Sequence, residues 1–267
     1  NNYVSFNNEL WRIIGVFGNN VKLIRNEKLG ELSWDSSESS VNDGYGINQW
    51  GESKDTSGNT YEGADLKVYL NKMYYGGTTV TCYNGQNNQT TTCPTNTLDN
   101  TSKSLIDNYI WNTGAIEYET TADTLAFYSA ERGTVNGKIC TSGDYCNDTV
   151  TRTTEWTGYI ALPYITDYAY ASGEDDCNTK IDQSSPYKCK NNNWMFFKEN
   201  TSYLTLSPST YTSRAFYVWN VNGGVTAGYN DATVATAVFP AIYLKSNVLI
   251  ESGNGSTSDP YVLKLGN

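Results

Sequence analysis

The chain has 267 residues, enough for one sizeable core, so a single domain over residues 1–267 accounts for it. Only 17% of residues are charged, against roughly 25% in ordinary soluble domains, and Asn, Thr, Ser, Gly and Tyr are abundant, the balance of a secreted surface protein. A net charge of −10 with no basic cluster excludes nucleic acid as a partner, and the absence of histidine excludes Ser-His-Asp, Cys-His and histidine-metal chemistry.

Leu10 to Phe17 is an apolar β-type run, Gly18-Asn19-Asn20 a turn, and from Val21 to Arg25 Val21 and Leu23 alternate with Lys22, which predicts an N-terminal hairpin. Gly30 to Thr60 reads as an irregular loop anchored by Trp34, Tyr45 and Trp50, too aromatic for disorder. Leu66, Tyr69, Leu70 and Met73 make one stripe of a helix over Ala64 to Tyr74 that Gly76-Gly77 ends. Leu105, Ile106, Tyr109 and Ile110 predict a second helix over Lys103 to Trp111, packed with the first on one sheet. Short strands follow at Trp156 to Leu162, Trp194 to Phe197, Tyr203 to Leu206, Phe216 to Val221, Val238 to Leu244 and Tyr261 to Leu265, with Pro240 marking a strand end or edge. The class is α+β: a hairpin, two helices, then short antiparallel strands with long stapled loops.

Six cysteines stand as near neighbours, Cys82/Cys93, Cys140/Cys146 and Cys177/Cys189, with no CxxC unit. Sequential disulfides are the natural reading, although spacing alone leaves other pairings open, and they imply an oxidising, extracellular compartment. No apolar run reaches the roughly 18 residues of a membrane span. Asn1 is not an initiator, so a removed N-terminal segment is expected, and with it any membrane attachment. Sequons begin at Asn88, Asn100, Asn147, Asn200 and Asn254, a number an Asn- and Thr-rich chain produces by chance.

The order of Trp11-Arg12-Ile13-Ile14-Gly15, Lys22-Leu23-Ile24-Arg25, Ser33-Trp34-Asp35, Leu204-Thr205-Leu206-Ser207-Pro208 and Pro240-Ala241-Ile242-Tyr243-Leu244-Lys245, followed by Gly253-Asn254-Gly255, resembles the globular part of prepilin-like (type IV pilin-like) surface proteins of Gram-positive gut bacteria. That resemblance implies a C-type-lectin-like fold, shared with formylglycine-generating enzymes and the variable proteins of diversity-generating retroelements. It also implies a pilin-like helix upstream. The family pattern has Arg before Pro-Ala-Ile-Tyr-Leu where this chain has Phe239.

Formylglycine-generating activity would need reactive cysteines near the C-terminal strands, whereas the last cysteine is Cys189. Glu117, Glu119, Asp123, Glu131 and Glu155 could supply a glycosidase pair, but no spacing fixes two of them, and solvated carboxylates are the plainer reading. The calcium elements of lectins are incomplete: Trp219-Asn220-Val221 lacks its acid, and neither Asn42 to Asn48 nor Glu174-Asp175-Asp176 has EF-hand spacing, so no metal or cofactor is expected. Tyr203 to Thr236 interleaves aromatics with Ser, Thr, Asn and Gly, the mixture of antibody paratopes. The resemblance maps this segment to the region that varies between paralogues, with Tyr211, Ser213, Arg214, Tyr217, Trp219, Asn220, Asn222, Tyr229 and Asn230 lining a contact surface. About half of the segment's aromatics should face the core, as alternate strand residues do; Trp34, Trp50 and Trp194 are read as core. The expected function is a non-enzymatic adhesin or receptor-like module for a host or microbial surface protein or glycan. A filament subunit contacting other pilin subunits is the alternative, and a carbohydrate-active enzyme the third.

Overall fold

The first strands are set by their turns. β1 (Tyr3–Phe6) and β2 (Glu9–Phe17) are joined by Asn7 and Asn8, both at φ 57°, the left-handed pair of a type I′ turn that asparagine tolerates. β2 returns into β3 (Asn20–Arg25) through Gly18-Asn19, where only Gly18 has positive φ, at 60°. The expected hairpin is present, and β1 adds a strand the sequence reading missed. The computed structural model describes residues 1–36, 48–54, 60–61, 63–116, 124–132, 154–172, 193–195, 202–209, 217–221 and 227–266.

The segment read as irregular contains β4 (Gly30–Leu32), β5 (Ser53–Lys54) and β6 (Thr60–Tyr61), while Trp34 and Trp50 are buried against each other with ring centroids 5.3 Å apart. Helix α1 is α-helical over Asp65–Val68 and π-helical over Tyr69–Tyr75. Leu66, Tyr69 and Leu70 are buried as their spacing predicts; the wider i→i+5 winding brings Tyr74 into the core as well. Asp35 Oδ1 and the Trp34 carbonyl accept from the amides of Asp65 and Leu66, so the preceding loop satisfies the free donors of the helix start. β7 (Cys82–Gly85) and β8 (Gln89–Thr91) form a small hairpin closed by the Cys82–Cys93 disulfide, as expected; Cys140, Cys146, Cys177 and Cys189 lie outside the described residues.

The second helix is displaced from its expected span. α2 covers Asn100–Leu105, because the Asp99 side chain accepts from Ser102 N at 2.7 Å and starts the helix early. Ile106 is extended and bridges Leu244, and Tyr109–Asn112 is not helical but strand β9, paired with β10 (Glu155–Gly158) with Trp111 opposite Trp156. Trp111 decides this: its ring is buried 4.7 Å from Tyr243, its Nε1 donates to Gly158 O, and Ile110 is left 53% exposed.

Two helices lie among the later strands and were not foreseen, α3 (Thr124–Glu131) and α4 (Ile165–Tyr170). The run Trp156 to Leu162 is split between β10 and β11 (Ile160–Ala161), which belong to different sheets. Trp194 and Met195 form a turn after a bridge between Asn193 and Ser172, instead of beginning a strand; residues 196–200 lie outside the described residues. β12 (Tyr203–Pro208), β13 (Tyr217–Val221) and β14 (Ala227–Asp231) are consecutive antiparallel strands. Phe239 and Pro240 interrupt the next run, so that β15 (Thr236–Val238) pairs in one sheet and β16 (Ala241–Tyr243) in the other. β17 (Val248–Ser252) and β18 (Tyr261–Leu265) complete the chain.

The result is mixed α+β with a seven-stranded sheet, β11-β16-β3-β2-β1-β18-β17, and a five-stranded sheet, β14-β13-β12-β15-β4. Alternation along β12 sends Leu204 and Leu206 into the core that holds Trp34 and Trp50, and Tyr203 into a second core with Ile165, Tyr168 and Ile24. Helix α4 is thereby packed between the two sheets. Phe239, where the family pattern has Arg, is buried edge-on to Tyr203 in that second core. Among the described residues no helix is long and apolar enough to cross a membrane.

Candidate functional site

Lys22 sits mid-strand on β3, where alternation with Val21 and Leu23 would turn it to solvent, yet it is fully buried. Its ammonium is 2.5 Å from Asp167 Oδ2 and lies 4.1 Å from the ring centroid of Tyr164, with Trp111, Tyr243 and Phe17 between 5.3 and 5.6 Å. Burial lowers the lysine pKa, and the Asp167 charge and hydrogen bond oppose that. Asp167 is placed by α4: the same Oδ2 accepts from Tyr164 N at 2.7 Å, which closes the first turn of the helix.

The last turn of α3 adds Glu131 and Arg132. Glu131 is fully buried; its Oε1 accepts from Ser207 Oγ at 2.8 Å and Thr166 N at 3.3 Å, and its Oε2 from Thr166 Oγ1 and from Arg132 Nη1. Burial pushes the carboxyl up to about 7, held back by the bonds from Thr166 and Ser207 and by the Arg132 charge. The Arg132 guanidinium carbon lies over the Tyr128 ring, 3.5 Å from its centroid.

These groups border a pocket of about 90 Å³ lined by Ile14 and Phe17 of β2, Tyr128 and Arg132 at the end of α3, Thr166, Asp167, Tyr170 and Ala171 of α4 and its end, and Trp194. Trp194 is fixed from outside: Arg12 Nη1 donates to its carbonyl at 2.8 Å, and the Arg12 guanidinium stacks 4.2 Å from its centroid. Asn193, whose Nδ2 donates to the Tyr168 carbonyl, ties the Trp194 turn to α4. The site can hold a small polar group against aromatic walls. Trp194, read as core, is half-buried and lines this pocket.

The expected contact surface is only partly described. Tyr211, Ser213, Arg214 and Asn222 lie outside the described residues. Tyr217 and Trp219 are residues of β13, and Tyr229 and Asn230 of β14, the edge strand of its sheet; Asn230 is half-buried. Asn220 overturns its assignment. It faces inward beside Leu204 with no exposure, and among the described residues neither polar atom of its side chain has a hydrogen-bond partner, so it is a core residue and not a contact residue. Of the five acids considered as a carboxylate pair, Glu131 is buried in the cluster above, Glu155 is an exposed strand residue, and Glu117, Glu119 and Asp123 lie outside the described residues.

Lys22, Asp167, Arg132, Tyr128 and Tyr170 were not singled out by the sequence. The one available signal was a lysine within an otherwise apolar strand run, which reads as an outward residue until its partner on a helix 145 positions away is known. No family model, curated protein or solved structure matches the chain.

Proposed function

We propose that this domain is an extracellular, surface-displayed recognition module that binds a protein or glycan partner without covalent chemistry. The observation that carries the reading is the pocket between α3, α4 and Trp194, where four aromatic side chains, an arginine and an aspartate converge on a small recess. The engagement of the carboxylates supports binding over hydrolysis: Asp167 is committed to Lys22 and the start of α4, and Glu131 holds four donors away from solvent. The C-type-lectin-like, pilus-associated reading rests on the resemblance of the sequence motifs, and the Cys82–Cys93 disulfide is consistent with an oxidising compartment. The edge position of β14 leaves the β13–β14 edge of the five-stranded sheet as a second contact region on the same molecule.

The test is a screen of the domain against a glycan array and a panel of surface proteins, alongside two variants shown to fold, Tyr170→Ala/Trp194→Ala and Tyr217→Ala/Tyr229→Ala. A hit lost in the first variant places recognition in the pocket, and one lost only in the second places it on the β13–β14 edge. Absence of any hit would overturn the reading.

One observation favours the filament-subunit alternative. The terminal hairpin β17–β18, at the edge of the seven-stranded sheet, exposes Leu249, Ile250, Val262 and Leu265, each by about 40% or more. Concentration-dependent self-association abolished by Leu249→Lys/Ile250→Lys would support that role.

A further inference from the structure

We propose that the α3–α4 pocket takes the hydroxyl edge of a neutral sugar residue. The inference rests on the recognition reading above and narrows it to one ligand chemistry. The polar inventory of the pocket decides the class. Asp167 spends Oδ2 on Lys22 and Tyr164 N, and among the described residues its Oδ1 accepts no hydrogen bond. Arg132 directs Nη1 to the Tyr128 carbonyl and Glu131, which leaves Nε and Nη2 without an acceptor among the described residues. Both side chains line the recess, one offering an acceptor and the other donors, and stacking on Tyr128 holds the arginine plane in place.

A carboxylate ligand would gain Arg132 but lie against the Asp167 charge. An ammonium would gain Asp167 but meet Arg132 and Lys22. A pair of hydroxyls satisfies both, donating a hydrogen bond to Asp167 Oδ1 and accepting one from Arg132, while the aromatic walls of Phe17, Tyr170 and Trp194 receive the apolar C–H face of the ring. At about 90 Å³ the recess is smaller than the roughly 150 Å³ that encloses a benzene ring, so one edge enters and the rest of a glycan runs outward. The net charge of −10 acts in the same direction by repelling acidic glycans at long range.

Titration of the intact domain by calorimetry and saturation-transfer NMR with glucose, galactose, mannose, fucose and N-acetylglucosamine tests this, with glucuronic acid and glutamine as the acidic and amide comparators. Saturable binding of at least one neutral sugar is expected, with glucuronic acid and glutamine weaker by about tenfold or more. Arg132→Lys, which keeps the charge and loses the fork, and Tyr170→Ala, at a half-exposed side chain, should each weaken it by a similar factor while thermal unfolding stays cooperative. Equal or tighter binding of glucuronic acid or glutamine overturns the proposal, as does neutral-sugar binding that both variants leave intact. If no sugar binds while a surface protein does, the sugar assignment fails and the recognition reading stands; if neither binds, both fail.

Discussion

Lys22 and Arg25 stand three residues apart on β3, so alternation sends their side chains to opposite faces of the seven-stranded sheet, and each meets a carboxylate there. Arg25 spreads its fork over four acceptors, both oxygens of Glu9 at 2.8 and 3.1 Å and the carbonyls of Glu27 and Lys28, and remains about 10% exposed. Lys22 has one carboxylate, four aromatic rings and no exposure. The two pKa shifts have opposite signs. Burial pulls both down, but the Glu9 bonds and charge carry Arg25 above its ordinary value, while Lys22 stays below its own. Ion pairs of similar length therefore differ in kind: the first is close to fully satisfied, and the second is held in place by the packing around it.

Removing Lys22 is the strongest way to break this contrast. Lys22→Met fills the same channel with an apolar chain but leaves Asp167 buried with only the Tyr164 amide, and a loss on the order of 3–5 kcal/mol is expected in urea unfolding. A loss below about 1 kcal/mol would mean that the carboxylate finds water through the pocket and that the pair is not enclosed.

The same contrast explains what the sequence revealed and what it hid. The N-terminal hairpin, the α1 stripe, the Cys82–Cys93 staple and the strands at Tyr203–Pro208, Tyr217–Val221 and Tyr261–Leu265 carry local signals, in alternation, turn residues and short loops, and these were legible, whereas Ala227–Asp231 and Val248–Ser252 were not read as strands. The second helix was misplaced because 105, 106, 109 and 110 fit a helical face equally well, and only the burial of Trp111 against Tyr243 and Gly158 selects the strand. Helix α4 was missed because five of its six residues, all but Tyr170, are buried, which leaves no exposed polar face to mark a helical period. The pocket was illegible for the same reason as Lys22: its members come from β2, α3, α4 and the Trp194 turn, and nothing local in any of them marks the meeting point. Asn220 failed differently. The resemblance placed it with the contact residues, but strand register decides the side a residue faces, and register depended on its pairing with Leu204.

Glu131 sharpens the comparison by pH. Its folded pKa of about 7 lies above the roughly 4.3 of an unfolded glutamate, so the folded chain holds this proton more tightly. The stability it contributes is fully present below about pH 4 and is lost as pH rises through 7. Glu131→Gln keeps acceptors for Ser207 and Thr166 and removes the burden, so it should exceed the parent chain in stability by on the order of 2 kcal/mol at pH 8 and by almost nothing at pH 4.5. Lys22 titrates with the opposite sign, because its lowered pKa makes stability rise with pH toward its unfolded value; the difference between variant and parent isolates the glutamate. A Gln variant less stable at every pH would show that the ionised carboxylate is needed by Arg132. On the other face of β3, Arg25→Met should cost about 2 kcal/mol, since it removes the fork that joins both oxygens of Glu9 to the carbonyls of Glu27 and Lys28.

Salt separates the buried pair from the surface ones with the smallest effects. Lys264 and Glu251 are each about half exposed and 3.7 Å apart, so Lys264→Gln should change stability by less than about 0.5 kcal/mol, and 1 M NaCl should erase even that, because the screening length falls to roughly 3 Å. The loss in Lys22→Met should change little between 0.1 M and 1 M NaCl, since salt screens charges with 0% and 4% side-chain exposure far less than exposed ones. If added salt shrinks the Lys22 loss as well, ions reach Asp167 from the pocket side. The free Oδ1 would then be a solvated acceptor that any ligand must first dehydrate.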